Sequence, residues 1–110
     1  MTSIGDSAFF GCSGLTSITI PKNVVNLGKF VFVGCSKLKS VIIDGNIVNI
    51  DKDTFSYCSN LKSITINSTS MPNLKAGFWL RDLVVYVPAN MLETYKADAQ
   101  WSKLTIEAIQ

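Results

Sequence analysis

AFFGCSGLTSITIP (residues 8–21) is answered by VFVGCSKLKSVII (31–43) and again by TFSYCSNLKSITI (54–66). Cys12, Cys35 and Cys58 keep a 23-residue step, and so do Phe9, Phe32, Phe55 and Phe78. Leu15, Leu38 and Leu61 run in phase with them, as do Ile18, Val41 and Ile64, and then Ile20, Ile43 and Ile66. A period of roughly 20–29 residues with leucine and isoleucine at fixed offsets marks a solenoid. No single unit can bury its own phenylalanine, leucine and isoleucine, so stability must come from stacked neighbours.

The chemistry of one unit follows from its alternation. In LTSITI (15–20), Leu15, Ile18 and Ile20 face inward while Ser17 and Thr19 face out, as a strand requires. Stacked units then pair these strands in a parallel sheet. Pro21 ends the first strand because it has no N–H for the ladder. Asp44 and Asn67 stand at the same position in the next two units and are turn formers. Behind the strands come Val24 and Leu27, then Ile47 and Ile50; Met71 and Leu74 fill this place in the third unit with a register shift. The opposite wall carries Ala8-Phe9, Val31-Phe32 and Thr54-Phe55, where a short helical or 3-10 turn inserts a stacked phenylalanine. The pattern therefore predicts an α/β leucine-rich repeat solenoid, with a parallel sheet on one side and short turns on the other.

The phrase breaks after residue 69. The fourth unit keeps Phe78 but has Arg81 and Asp82 where cysteine and serine fall, and its LVVYVP comes two residues early. Val85, Val87 and Pro88 match Ile18, Ile20 and Pro21. Asn90, three residues before Glu93, reads as a capping box, with Leu92, Tyr95 and Ala99 on one helical face. Trp101 and LTIEAI (104–109) supply apolar cover and a last strand. Terminal repeats are atypical because one face meets water, so residues 1–88 read as about four repeats and 89–110 as a C-terminal cap. Met1 enters inside a repeat, so an N-terminally truncated array is expected. Its open first strand edge invites pairing with a second copy.

Bulk properties narrow the function. The 110 residues are 47% hydrophobic, and 10 basic against 8 acidic side chains leave a net charge of +2. That is far from a nucleic-acid-binding footprint. No apolar run is long enough to span a bilayer, and MTSIGDSAFF lacks the regions of a signal peptide. An odd three cysteines without CxxC spacing indicate neither a disulfide framework nor a zinc site.

Each cysteine sits three residues after the phenylalanine and three before the inward leucine. That places it inside, as a small hydrophobe with a weak S–H donor for a neighbouring carbonyl. A nucleophile needs an exposed, activated thiolate and a base, and the chain has no histidine. Asp51-Lys52-Asp53 has too few oxygen ligands for a calcium loop and reads as a solvated turn. Asn67-Ser68-Thr69 is a glycosylation sequon, relevant only in a eukaryotic secretory pathway. Tyr57, Trp79, Tyr86, Tyr95 and Trp101 fall in scattered registers, which suggests core and cap packing instead of a sugar platform. No catalytic, cofactor-binding or metal-binding set is expected.

The stretch IGDSAFFGCSGLTSITIPKNVVNLGKFVFVGCSKLKSVII resembles the BspA-like leucine-rich repeat family, with its I-G-x-x-A-F-x-G-C-x-x-L-x-x-I-x-I-P unit. VYVPANMLETYKADAQW resembles the closing segment of such proteins from Bacteroides-type bacteria. The resemblance implies an exported or cell-surface protein, with a signal sequence outside this segment, and adhesion to host matrix proteins or to other cells. Solenoids bind through the face their strands present. Here that face carries Thr16, Ser17 and Thr19, then Lys39, Ser40 and Ile42, then Lys62, Ser63 and Thr65, with Lys37 alongside. The expected partner is an acidic or glycosylated protein, with no nucleic acid and no membrane insertion by this segment. Two alternatives stand beside adhesion: a structural spacer that projects another domain, and a carbohydrate-binding module.

Overall fold

The computed structural model describes residues 3–51, 53–75 and 83–109. The expectations for Phe78, Trp79, Arg81 and Asp82 lie outside the described residues. In chain order the strands are β1 (Ser3–Ile4), β2 (Ser17–Ile20), β3 (Asn26–Leu27), β4 (Ser40–Ile43), β5 (Asn49–Ile50), β6 (Ser63–Ile66), β7 (Asn73–Leu74), β8 (Val84–Val87) and β9 (Thr105–Ala108). A single helix turn and a half, α1 (Leu92–Ala97), lies between 3-10 turns at Ala89–Met91 and Trp101–Lys103.

The expected parallel sheet forms in the order β2-β4-β6-β8-β9. Its register follows the repeat: Ile18 pairs with Val41, Val41 with Ile64, Ile64 with Val85, and Val85 with Ile106. The fourth unit arrives two residues early and still joins in phase, because a shift of two preserves which face each side chain takes. Val41, Ile64, Val85 and Ile106 are all buried in the core, while Ile18, at the first edge, is half-buried.

The sequence did not resolve a second, narrower set of pairings. β1 pairs with β3 and β5 with β7, again parallel, along the line where Leu27, Ile50 and Leu74 turn inward. Asn49 pairs with Asn73, one residue beyond the 23-residue step, which places the expected register shift in the turn at Ser68–Pro72. Asn73 Nδ2 donates to Asn49 Oδ1 at 3.2 Å, and Asn67 Nδ2 to Asp44 Oδ1 at 2.7 Å. These side-chain bonds continue the backbone ladder into the turns.

On the third side the phenylalanines stack as expected. The Phe9 and Phe32 centroids are 5.5 Å apart at 9°, and Phe32 and Phe55 are 5.5 Å apart at 1°. The turns that carry them are closed by 3-10-type bonds, with Phe10 N donating to Ser7 O and Cys12 N to Phe9 O. They also bond from unit to unit: Phe9 N to Val31 O, Gly11 N to Val33 O, Phe32 N to Thr54 O and Gly34 N to Ser56 O. Among the described residues the first three units are thus tied to one another through the backbone on both walls, with the phenylalanine column between.

Two positions of these turns take a left-handed backbone: Ser7 and Phe30 hold the first, both at φ 59°, and the second is shared by all three units. Gly11 and Gly34 occupy it at φ 71° and 77°, and in the third unit Tyr57 takes it at φ 63°. The Tyr57 side chain is 74% exposed, so little packing offsets the strain.

At the far end, Trp101 and Tyr95 close the core, edge to face at 5.4 Å, and Trp101 Nε1 donates to Pro72 O at 2.8 Å. The capping box on Asn90 does not form. Pro88 leads into a 3-10 turn that contains Asn90, and α1 begins after Met91 without a side-chain cap. Nor does Ala99 lie on the helical face, since α1 ends at Ala97 and Ala99 is exposed. Asp98 supplies the capping chemistry in that place: its Oδ2 accepts from Gln100 N and Trp101 N, both at 2.9 Å. An aspartate following a short helix is a signal the sequence did carry.

Two substitutions test this account by urea denaturation. Phe32→Ala removes the middle ring of the column and should cost about 3–5 kcal/mol. Tyr57→Gly relieves the left-handed strain and should stabilise the fold by about 0.5–1 kcal/mol, the residual of a larger strain relief against glycine's entropy.

Candidate functional site

Strand alternation divides the main sheet into a core side and an open side. On the open side the register sets two rows. Ser17, Ser40, Ser63, Val84 and Thr105 form one, and Thr19, Ile42, Thr65, Tyr86 and Glu107 form the other. Thr16, Lys39 and Lys62 precede their strands and continue the ladder, with Lys39 N donating to Thr16 O at 2.8 Å and Lys62 N to Lys39 O at 2.9 Å. Thr16, Ser17, Thr19, Lys39, Ile42 and Lys62 are exposed; Ser40, Ser63 and Thr65 are half-buried. Lys37 is exposed in the turn before β4. The register thus brings nine of the expected residues together, and Lys37 stands at their border.

The sequence reading missed the far half of this face. Tyr86 was grouped with the core and cap aromatics, yet its neighbours Val85 and Val87 are fully buried and Tyr86 lies in the open row beside Thr65. The two-residue match of Val85 and Val87 to Ile18 and Ile20 contained this result, because Tyr86 then corresponds to Thr19. Tyr57 is also not core, being exposed on a turn, while Tyr95 and Trp101 are buried as expected. β9 adds Thr105 and Glu107, so the face continues across the cap strand.

The face offers hydroxyl groups, two ammonium groups side by side, one exposed isoleucine and one tyrosine. Such groups can form hydrogen bonds, ionic contacts and apolar contacts with a partner. Among the described residues no group of three or more histidine, cysteine, aspartate or glutamate side chains could hold a metal ion. Asp51 and Asp53 are spent locally: Asp51 Oδ1 accepts from Asp53 N at 3.3 Å, and Asp53 Oδ1 from Ser56 Oγ at 3.2 Å. They are half-buried turn formers, less solvated than the sequence suggested.

The cysteines lie on the other side of the sheet, inside the stack. Cys35 Sγ donates to Phe9 O at 3.1 Å and Cys58 Sγ to Phe32 O at 3.0 Å, so each thiol bonds the phenylalanine carbonyl of the preceding unit. Burial pushes the Cys35 thiol above its ordinary range. It pushes Cys58 from 9.0 up to about 12, with the neighbouring Cys35 sulfur as a lesser cause. Cys12, in the first unit, is only half-buried.

Alkylation at neutral pH followed by mass mapping should label Cys12 first and leave Cys35 and Cys58 protected; equal labelling of Cys35 would refute the buried ladder. The same thiols set a pH dependence. A thiol harder to ionise when folded is lost to the unfolded chain once that chain deprotonates, so its contribution is complete below pH 9.0 and declines as pH rises toward about 12. Urea midpoints should fall over that interval, and less so in Cys58→Ala.

With the geometry in place, comparison with known proteins gives the chain a setting. No curated protein sequence matches it. A solved structure described as the crystal structure of the pneumococcal vaccine antigen PcpA matches with a TM-score of 0.70 and 26% identity. The match covers all of this chain and 28% of that one. The profile of the BspA type leucine-rich repeat region matches residues 1–78 in six copies. Repeat profile, strand ladder and phenylalanine column agree, and the chain belongs to the BspA type leucine-rich repeat family.

Proposed function

We propose that the chain is the interaction segment of a surface or secreted bacterial protein, and that it holds a protein partner on the open side of its main sheet. The carrying observation is the open face itself, five strands wide, with Lys39 and Lys62 adjacent at one margin. Support for the setting comes from the family and from the likeness to a pneumococcal vaccine antigen, of which this chain spans 28%. Among the described residues no helix is long and apolar enough to cross a membrane. Members of the leucine-rich repeat family are generally non-catalytic, and we read this chain in the same way. Residues 1–88 then supply the repeats, and 89–110 form a cap whose last strand extends the face.

The physical basis is a division of labour. Core positions of each strand hold the stack, and open positions are free to meet a partner through a surface rich in hydroxyls. Adjacent lysines favour an acidic partner through charge complementarity, which acts on association rate and specificity more than on affinity.

The test is a binding screen of the purified chain against immobilised host matrix proteins, bacterial cells and a glycan array, with a Lys39→Glu/Lys62→Glu variant alongside. Saturable protein binding that the variant weakens at least tenfold is the expected result. Indifference of every protein ligand to the variant would favour a spacer, and binding to glycans alone would favour a carbohydrate-binding module.

A further inference from the structure

Resting on that reading, the geometry points to a specific kind of partner: an extended, acidic polypeptide segment that sets a carboxylate between Lys39 and Lys62 and an aromatic or branched aliphatic side chain against Ile42, Thr65 and Tyr86.

Lys39 and Lys62 immediately precede neighbouring strands and are joined by the 2.9 Å bond from Lys62 N to Lys39 O. Their backbones are therefore one strand spacing apart, about 4.8 Å, which lets a single carboxylate meet both ammonium groups. Both side chains are exposed, and among the described residues neither has an anionic partner. The first unit has Thr16 at the same position, so the cationic site is confined to the second and third units.

Ile42 is 36% exposed, in the row that holds Thr19 on one side and Thr65 on the other. Tyr86 stands half-buried beyond Thr65, about 10 Å from Ile42 across two strand spacings. Thr65, smaller than both, separates the two larger side chains along the row. Aromatic and aliphatic anchors carry most of the energy of protein interfaces.

Ile42 lies three residues beyond Lys39, and Thr65 three beyond Lys62. At about 3.3 Å per residue, the anchor place lies about 10 Å from the cationic one. An extended segment of the polyproline II kind, with three residues per turn and about 3.1 Å per residue, covers that span in three residues and keeps both side chains on one side, so the matching segment reads acid-x-x-apolar. Glu107, in the same row beyond Tyr86, repels acidic residues at the far margin.

The experiment is panning of a phage-displayed library of random 12-residue peptides on the immobilised full chain. Enriched sequences should carry Asp or Glu three or four residues from Phe, Tyr, Trp, Leu or Ile. Synthetic versions should bind at least tenfold more weakly to Lys39→Glu/Lys62→Glu and at least fivefold more weakly to Tyr86→Ala. Far-UV circular dichroism and urea midpoints of both variants separate lost binding from lost folding, and Ile42→Thr, a change on the open face to the residue its neighbours carry, is the milder test of the anchor place, expected to weaken binding while leaving the urea midpoint in place. Failure to enrich any sequence, or enrichment of neutral or basic ones, overturns the inference. Matrix-protein binding that depends on the lysines but not on Tyr86 or Ile42 overturns it too, while leaving the protein-binding reading intact.

Discussion

The structure depends on the parallel backbone ladder between successive units. On the sheet side, strands pair at one step of the repeat; on the turn side, Phe9 N reaches Val31 O and Phe32 N reaches Thr54 O. A ladder on both walls forces like residues over like residues. The phenylalanine column, the thiol-to-carbonyl bonds and the asparagine contacts are all consequences of that superposition. No unit has a core of its own, so the energy resides in interfaces between neighbours, as in other repeat proteins. The half-burial of Phe9, Cys12 and Ile18 beside full burial of Phe32, Cys35 and Val41 expresses the same dependence at one end of the described stack.

This explains what the sequence made legible. A side chain repeated at a fixed step must meet its own copies, so the Phe, Leu, Ile and Cys ladders could be placed before any coordinates. Even the thiol's carbonyl acceptor followed from its position between the phenylalanine and the inward leucine. Aperiodic residues had no such constraint. The helix start at Leu92 was misplaced because Asn90 and Glu93 satisfy a local capping pattern that the fixed φ of Pro88 and the 3-10 turn override. The Asp98 cap serves a 3-10 turn, for which no periodic signal exists.

The open face was legible in its first three strands and illegible in its last two. Ser40, Ile42, Ser63 and Thr65 followed from alternation within the repeat. Tyr86 followed from it as well, given the two-residue offset of the fourth unit, but its aromatic character drew it into the cap group. Thr105 and Glu107 join the face only because β9 returns to pair with β8, a tertiary event beyond the repeat. Chemistry on this face is accordingly a property of several units at once, and no short motif announces it.

Alternation also separates stability from recognition. Val41 and Ile43 are fully buried while Ile42 between them is 36% exposed, so a change at Ile42 leaves the stack largely untouched. Each strand thus offers open positions that can vary at little cost, flanked by core positions that cannot. A family built this way keeps its fold through the core ladder, and on the proposed reading the open rows set its partners. For that reason the 23-residue phrase identifies the architecture at once, whereas the proposed site rests on the few places where one unit departs from another: Lys39 and Lys62 against Thr16, Ile42 against Thr19 and Thr65, and Tyr86 at the end of the row.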